Sequence, residues 1–159
     1  MPSTISILSR LKNDFPNLNF VSSDSFSWCA SEKTIYYDQK NTADSNIFLL
    51  HELSHAVLQH ANYKRDIELL QMERQAWDQT LILAQKYEIS INDNFIQSNL
   101  DSYRDWLHSR STCPKCETTG FQIDKLLYSC PTCQHHWRVN EAKNCSLRRY
   151  KIKDNKKRT

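Results

Sequence analysis

Two short cysteine pairs, CPKC at residues 113–116 and CPTC at residues 130–133, constrain this chain more than any other feature. Each C-x-x-C can turn as a knuckle whose thiolates and turn amides suit tetrahedral zinc. Cys113, Cys116, Cys130 and Cys133 therefore describe one closed, structural four-thiolate site. His135 and His136 follow the second knuckle, but four thiolates already fill the shell. The strand-like stretches nearby, FQIDKLLYSC and HHWRV, are too short to build a large core, so this unit is expected to need its ion to fold. The only glycine in 159 residues, Gly120, lies between the knuckles, as expected for a turn that needs positive φ. Cys29 and Cys145 read as ordinary reduced thiols. The N-terminal stretch MPSTISILSRLKNDF does not have the pattern of a secretory signal, which favours metal over disulfides and makes the cytoplasm the expected location.

Upstream of the cysteines the pattern is mostly helical. Ile5, Leu8, Leu11 and Phe15 recur at helical spacing over residues 4–14. NFVSSDSFSWCA and KTIYYD, joined by the polar SEK, predict a hairpin. A helix is predicted from Asp44 through IFLL into HELSHAVLQH, a second over about 65–87 and a third over about 93–108. No stretch approaches the length of apolar chain that spans a bilayer, so no membrane partner is expected. The net charge of +3 is concentrated at the end: the last twelve residues, RRYKIKDNKKRT, carry seven Lys or Arg against one Asp. That tail is expected to be solvated and disordered, and with the cysteine unit it is a candidate contact for nucleic acid.

The stretch HELSHAVLQH carries the second chemistry. On a helix His51 and His55 share a face and can offer nitrogens to one ion. Glu52 lies about 100° around from His51 and can reach a water at that ion without ligating it. A catalytic zinc usually takes three protein ligands and leaves one position open. His60 would lie about 180° from His51 if the helix continued, so it reads as a surface or helix-end histidine. The next helix offers a better third ligand. Glu73 sits in a stripe made by Leu69, Leu70, Ala76, Trp77 and Leu81, where a carboxylate is costly unless something positive meets it, either a metal ion that it ligates or, as the alternative, a paired Arg or His. By the helical rise it lies about 13 Å along that helix, at a depth comparable with the two histidines once the chain turns back near residues 61–64.

FLLHELSHAVLQH followed by ERQAW resembles the ImmA/IrrE family of zinc metallopeptidases, of the wider gluzincin type, over roughly residues 30–85. The family pairs an HExxH helix with a Glu from the next helix, often in an E-x-x-A pattern followed by Asp or Asn. Here Glu73 to Ala76 match, and Trp77 stands where the acidic or amide residue is usual. The resemblance implies regulatory proteolysis, commonly of a DNA-binding repressor. It also implies that KTIYYD is a sheet edge along which an extended substrate pairs, which makes Tyr36 and Tyr37 candidates for substrate binding. Tyr36, Tyr37, Tyr103 and His108 are candidates to stabilise the developing oxyanion. SprT-like proteases are a weaker second resemblance, since they also join an HExxH domain to a zinc ribbon. Their third ligand is usually a His, and neither His60 nor His108 is well placed.

The expected architecture is α+β: a small zincin domain over residues 1–110, with a short hairpin or sheet and about three helices around a central HExxH helix. A zinc ribbon at 111–140 and a basic tail at 141–159 follow. The expected function is intracellular, zinc-dependent cleavage of a protein or peptide by Glu52-assisted attack of water. One zinc would be catalytic at His51, His55 and Glu73, and one structural at the four cysteines. The rival reading is a non-catalytic regulatory or nucleic-acid-binding module, but a structural site has no use for a general base such as Glu52.

Overall fold

A computed structural model describes residues 4–40, 42, 44–140 and 149–151. These residues form a mixed α+β structure with four helices and two small sheets. Helix α1 spans Thr4–Asp14, α2 Ser45–Val57, α3 Asp66–Lys86 and α4 Asp93–Ser111. Strands β1 (Asn19–Ser23), β2 (Ser27–Cys29) and β3 (Thr34–Asp38) form the first sheet in the order β1-β3-β2. Strands β4 (Phe121–Asp124), β5 (Leu127–Ser129), β6 (His136–Val139) and β7 (Arg149–Lys151) form the second in sequence order. No helix among the described residues is long and apolar enough to cross a membrane.

The chain forms two compact units, one of residues 1–62 and 71–97, the other of residues 63–70 and 98–159. In the first, Ile7 and Leu11 of α1, Ile35 and Tyr37 of β3, Leu49, Leu50, Leu53 and Ala56 of α2, and Leu83, Ala84 and Tyr87 near the end of α3 make one buried cluster. The periodicity read from the sequence accounts for this: each helix turns one apolar stripe inward. The predicted hairpin exists as β2 and β3, antiparallel with Trp28 opposite Ile35. Strand β1 pairs in parallel with β3, Asn19 opposite Thr34. Strand β3 is therefore the central strand. It does not offer the free edge that the family resemblance implied.

With so little glycine, helix ends are made by other residues. Helix α2 stops because Gln59 takes φ 55°, while Gln59 N–H donates to Ala56 O at 3.0 Å and His60 N–H to His55 O at 2.9 Å. Glu88, at φ 58°, closes α3 the same way, with Ile89 N–H on Ala84 O at 2.8 Å. Both are Schellman ends, which usually place glycine at the left-handed position. Lys33, in the β2–β3 turn, also has positive φ (48°).

The second unit is built around a buried polar group. Asp66 accepts from Arg110 Nε at 2.8 Å and from the Tyr128 hydroxyl at 2.6 Å, and its own N–H donates to Gln122 Oε1 at 2.8 Å. Arg110 also donates to the carbonyl of Asn140 and lies over the Trp106 ring. Trp137, wholly buried, stacks on Tyr128 and donates from Nε1 to Arg110 O at 2.9 Å. Burying Arg110 and Asp66 together removes the cost that either charge would have alone. The first turn of α3 and the C-terminal end of α4 thus belong to the same unit as the cysteines. Part of the tail expected to be disordered forms β7, with Tyr150 opposite Arg138. The other tail residues, Cys145 among them, lie outside the described residues.

Candidate metal centres

Among the described residues, two groups of side chains could hold a metal ion: His51, His55 and Glu73, and Cys113, Cys116, Cys130 and Cys133. In each, one donor atom per residue lies within 4.8 Å of every other.

His51 and His55 come from consecutive turns of α2, and Glu73 from α3 opposite. Beside them the two helices are fastened by Ser54 and Thr80, both fully buried, whose hydroxyls lie 2.9 Å apart. The buried stripe of α3 runs through Glu73, Ala76, Trp77, Thr80, Leu83 and Ala84. Leu81, which the sequence pattern had assigned to the stripe, is 42% exposed. His51 Nε2 lies 3.0 Å from Glu73 Oε2, His55 Nε2 3.2 Å from Glu73 Oε1, and the two Nε2 atoms 3.2 Å from each other. Donors held at about 2.0–2.1 Å around a tetrahedral ion are about 3.3 Å apart, close to the spacing of the two ring nitrogens, and Glu73 meets each of them with a different oxygen. All three residues are buried.

Electrostatics agree with that arrangement. Burial alone would raise the pKa of Glu73, but hydrogen bonds from His51 and His55 outweigh it and hold the carboxyl at about 2. Burial pulls His55 down, but the hydrogen bond to Glu73 and the charges of Glu73 and Glu52 together outweigh it, so the net shift is upward. Glu52 is half-buried beside the ligands. Burial raises its pKa, opposed in part by the charges of His51 and His55, and its carboxylate accepts the backbone N–H of Trp28.

The ligands are supported in ways the sequence did not disclose. Trp77 stacks on His51 with ring centroids 4.1 Å apart and planes 26° from parallel, and Phe95 packs edge-on against Trp77 at 5.9 Å. His51 Nδ1 is buried and has no hydrogen-bond partner among the described residues, and the residue at the usual acidic or amide position, Trp77, meets His51 with its ring face instead. His60 is neither a ligand of this cluster nor a free surface side chain. The turn at Gln59 brings its Nδ1 to 2.9 Å from His55 Nδ1, and its Nε2 to 3.1 Å from Gln75 Oε1. Burial lowers the pKa of His60.

The two tyrosines expected to bind substrate both lie on β3. Tyr37 is buried in the core, and the Tyr36 hydroxyl bonds to Glu32, which raises its pKa. Tyr103 and His108 lie on α4 within the second unit. The edge strand β2 reaches α2 and its end through Trp28, whose backbone N–H bonds Glu52 and whose indole donates to His60 O.

In the second unit the cysteines form two similar knuckles. Glu117 N–H donates to Cys113 O at 2.9 Å and Gln134 N–H to Cys130 O at 3.0 Å, with Glu117 and Gln134 at φ 64° and 60°. Amides also point at sulfur, Lys115 N–H at Cys113 and Cys133 N–H at Cys130. The Sγ atoms of Cys113 and Cys133 are 3.7 Å apart, those of Cys116 and Cys130 3.4 Å, close to the roughly 3.8 Å edge of a tetrahedral zinc thiolate site. Hydrogen bonds with Thr118 pull Cys116 down to about 6, while, against a backbone hydrogen bond with His135, burial and hydrogen bonds to the other cysteines push Cys133 up to about 11. Gly120 does not have positive φ, contrary to the expectation of a special turn. A Cβ there would sit 2.3 Å from Trp137 Cη2 and 2.7 Å from Ser129 O, so glycine is required by close approach.

Comparisons with protein-family models, with curated proteins and with solved structures found no match to this chain.

Proposed function

We propose that the chain is a zinc metallopeptidase of the gluzincin type, with His51, His55 and Glu73 holding a catalytic zinc and Glu52 as general base. The four cysteines would hold a second, structural zinc in a ribbon, and the first unit would be a small zincin of the kind the ImmA/IrrE resemblance implies. The observation that carries the reading is the convergence of two imidazoles and a buried carboxylate, their donor atoms within 4.8 Å of one another, with a second carboxylate, raised in pKa by burial, beside them. Burial raises the pKa of Glu52, whereas the hydrogen bonds and charges of His51 and His55 overcome burial and lower that of Glu73.

Bound zinc supplies a Lewis acid that polarises a peptide carbonyl and makes water more acidic. Glu52 takes the proton from the attacking water on a carboxylate oxygen and delivers it to the departing amine nitrogen. The Trp28 N–H holds that carboxylate in place meanwhile. Burial of the cluster limits access of bulk water and strengthens each of these interactions. The substrate is a protein or peptide, and the resemblance points to DNA-binding regulators as the class to test first. The ribbon and the basic tail are the candidate nucleic-acid contact.

The deciding experiment compares wild type with Glu52→Gln on an unstructured peptide library and on candidate repressors. Cleavage by wild type and a loss of at least about 100-fold in the variant, with metal content unchanged, is the expected result. Equal residual cleavage in both proteins would remove Glu52 from the chemistry. Absence of cleavage by the metal-loaded wild type across the panel would favour the non-catalytic zinc-binding or nucleic-acid-binding module.

A further inference from the structure

We propose that His60, held by Gln75 and Trp28, is the positioning partner of His55, fixing the tautomer and ring plane that His55 needs to ligate a metal. The inference rests on the reading of His51, His55 and Glu73 as a metal site.

A histidine that ligates through Nε2 must carry its proton on Nδ1, and ligating histidines almost always donate that second N–H to an acceptor. His55 points Nε2 at the other donors, so Nδ1 is the atom to be satisfied. The group facing it, 2.9 Å away, is His60 Nδ1. To accept there, His60 must carry its own proton on Nε2, and Nε2 faces the carbonyl-type oxygen Oε1 of Gln75 at 3.1 Å. One proton assignment therefore satisfies every nitrogen along the line: His55 Nδ1–H to His60 Nδ1, and His60 Nε2–H to Gln75. The reverse assignment would put a proton on the His55 nitrogen that should ligate, whichever way the Gln75 amide is turned.

The backbone is arranged to deliver this ring. The left-handed Gln59 turns the chain out of α2, and the Trp28 indole donates to His60 O at 2.9 Å, pinning the residue that follows the turn. Trp28 thus holds both Glu52, through its backbone N–H, and the residue behind His55, through its side chain. The other histidine, His51, has no such acceptor among the described residues and stacks on Trp77. The two imidazoles are oriented by different means, and only His55 depends on a hydrogen-bonded relay.

Cobalt(II) titration of the full-length chain tests this, because the two sites absorb differently. Thiolate ligation gives intense near-ultraviolet charge-transfer bands, whereas a nitrogen and oxygen site shows only weak visible bands. His60→Ala is expected to weaken cobalt binding at the nitrogen and oxygen site by about 10–100-fold while leaving the charge-transfer titration unchanged. His60→Gln, whose amide oxygen can accept from Nδ1, is expected to recover part of that loss, and Gln75→Ala to lose affinity more mildly. Long-range proton–nitrogen correlation spectra of the zinc-loaded wild type should show His55 protonated on Nδ1 and His60 on Nε2, a readout that needs no variant. Unchanged affinity in His60→Ala, or His60 protonated on Nδ1 in the loaded protein, overturns the relay and leaves the metal site standing. Failure of the wild type to take up cobalt at any nitrogen and oxygen site overturns the relay together with the reading beneath it.

Discussion

At the scale of single residues, the chemistry of the first centre depends on side chains that look ordinary in the sequence. Trp77 supports His51 through its ring face, and His60 meets His55 because a glutamine takes a left-handed conformation at the helix end. Glu73 was legible, since a carboxylate between Ala76, Trp77 and the preceding leucines contradicts its own stripe. His60 was not legible, because nothing in Gln59 announces a helix end that usually falls to glycine. Gly120 was noticed as the lone glycine, but its reason is a tryptophan 17 residues later in the chain, a contact only the fold creates. The same contact makes a prediction. Gly120→Ala forces its new methyl against Trp137 and against the Ser129 carbonyl, and should destabilise the metal-loaded protein by about 1–3 kcal/mol. Chemical unfolding followed by Trp fluorescence measures it, and a change of less than about 0.5 kcal/mol would show that the second sheet yields at no cost.

At the scale of elements, helix periodicity carried most of the information. All four helices occur where apolar spacing placed them, because a stripe that repeats every three or four residues is a local property. Sheet order was not local. Nothing in NFVSS indicates that it pairs in parallel with TIYYD across two intervening turns, and that pairing makes β3 central and leaves β2 beside the candidate site. Helix α1 is held to the end of α3 by Asp14, whose carboxylate accepts the Tyr87 hydroxyl at 2.5 Å and lies 3.5 Å from Lys86 Nζ. The Tyr87 hydrogen bond, helped by Lys86, keeps the Asp14 pKa below its ordinary 3.8. A lowered carboxyl pKa adds stability that is complete above the ordinary value and disappears as pH falls through the lowered one. Asp14→Asn should therefore lower the urea midpoint at pH 7, and the gap to wild type should narrow below about pH 4. A gap of equal size at pH 7 and pH 3 would mean that the Asp14 charge contributes nothing.

At the scale of the whole molecule, two donor sets of different character stand out among the described residues. One is a buried mixed set with the Glu52 carboxylate beside it, and the other a set of four cysteines. Both were visible in the sequence because metal chemistry needs particular residue types at short spacings, HELSH within one helix and two C-x-x-C knuckles. Glu73 was placed by its helix face. The boundary between the units was less visible, because it depends on Asp66 and Arg110 meeting each other and Tyr128, residues 44 and 62 positions apart from Asp66 in the chain. The measurement that tests the account most directly is metal content per chain, by mass spectrometry of the native full-length protein, for wild type, Glu73→Ala and Cys113→Ser. Two zinc ions in wild type, with Glu73→Ala keeping only the thiolate-bound one and Cys113→Ser keeping the other, is the result the account predicts. One zinc in wild type, untouched by Glu73→Ala and lost in Cys113→Ser, would contradict it.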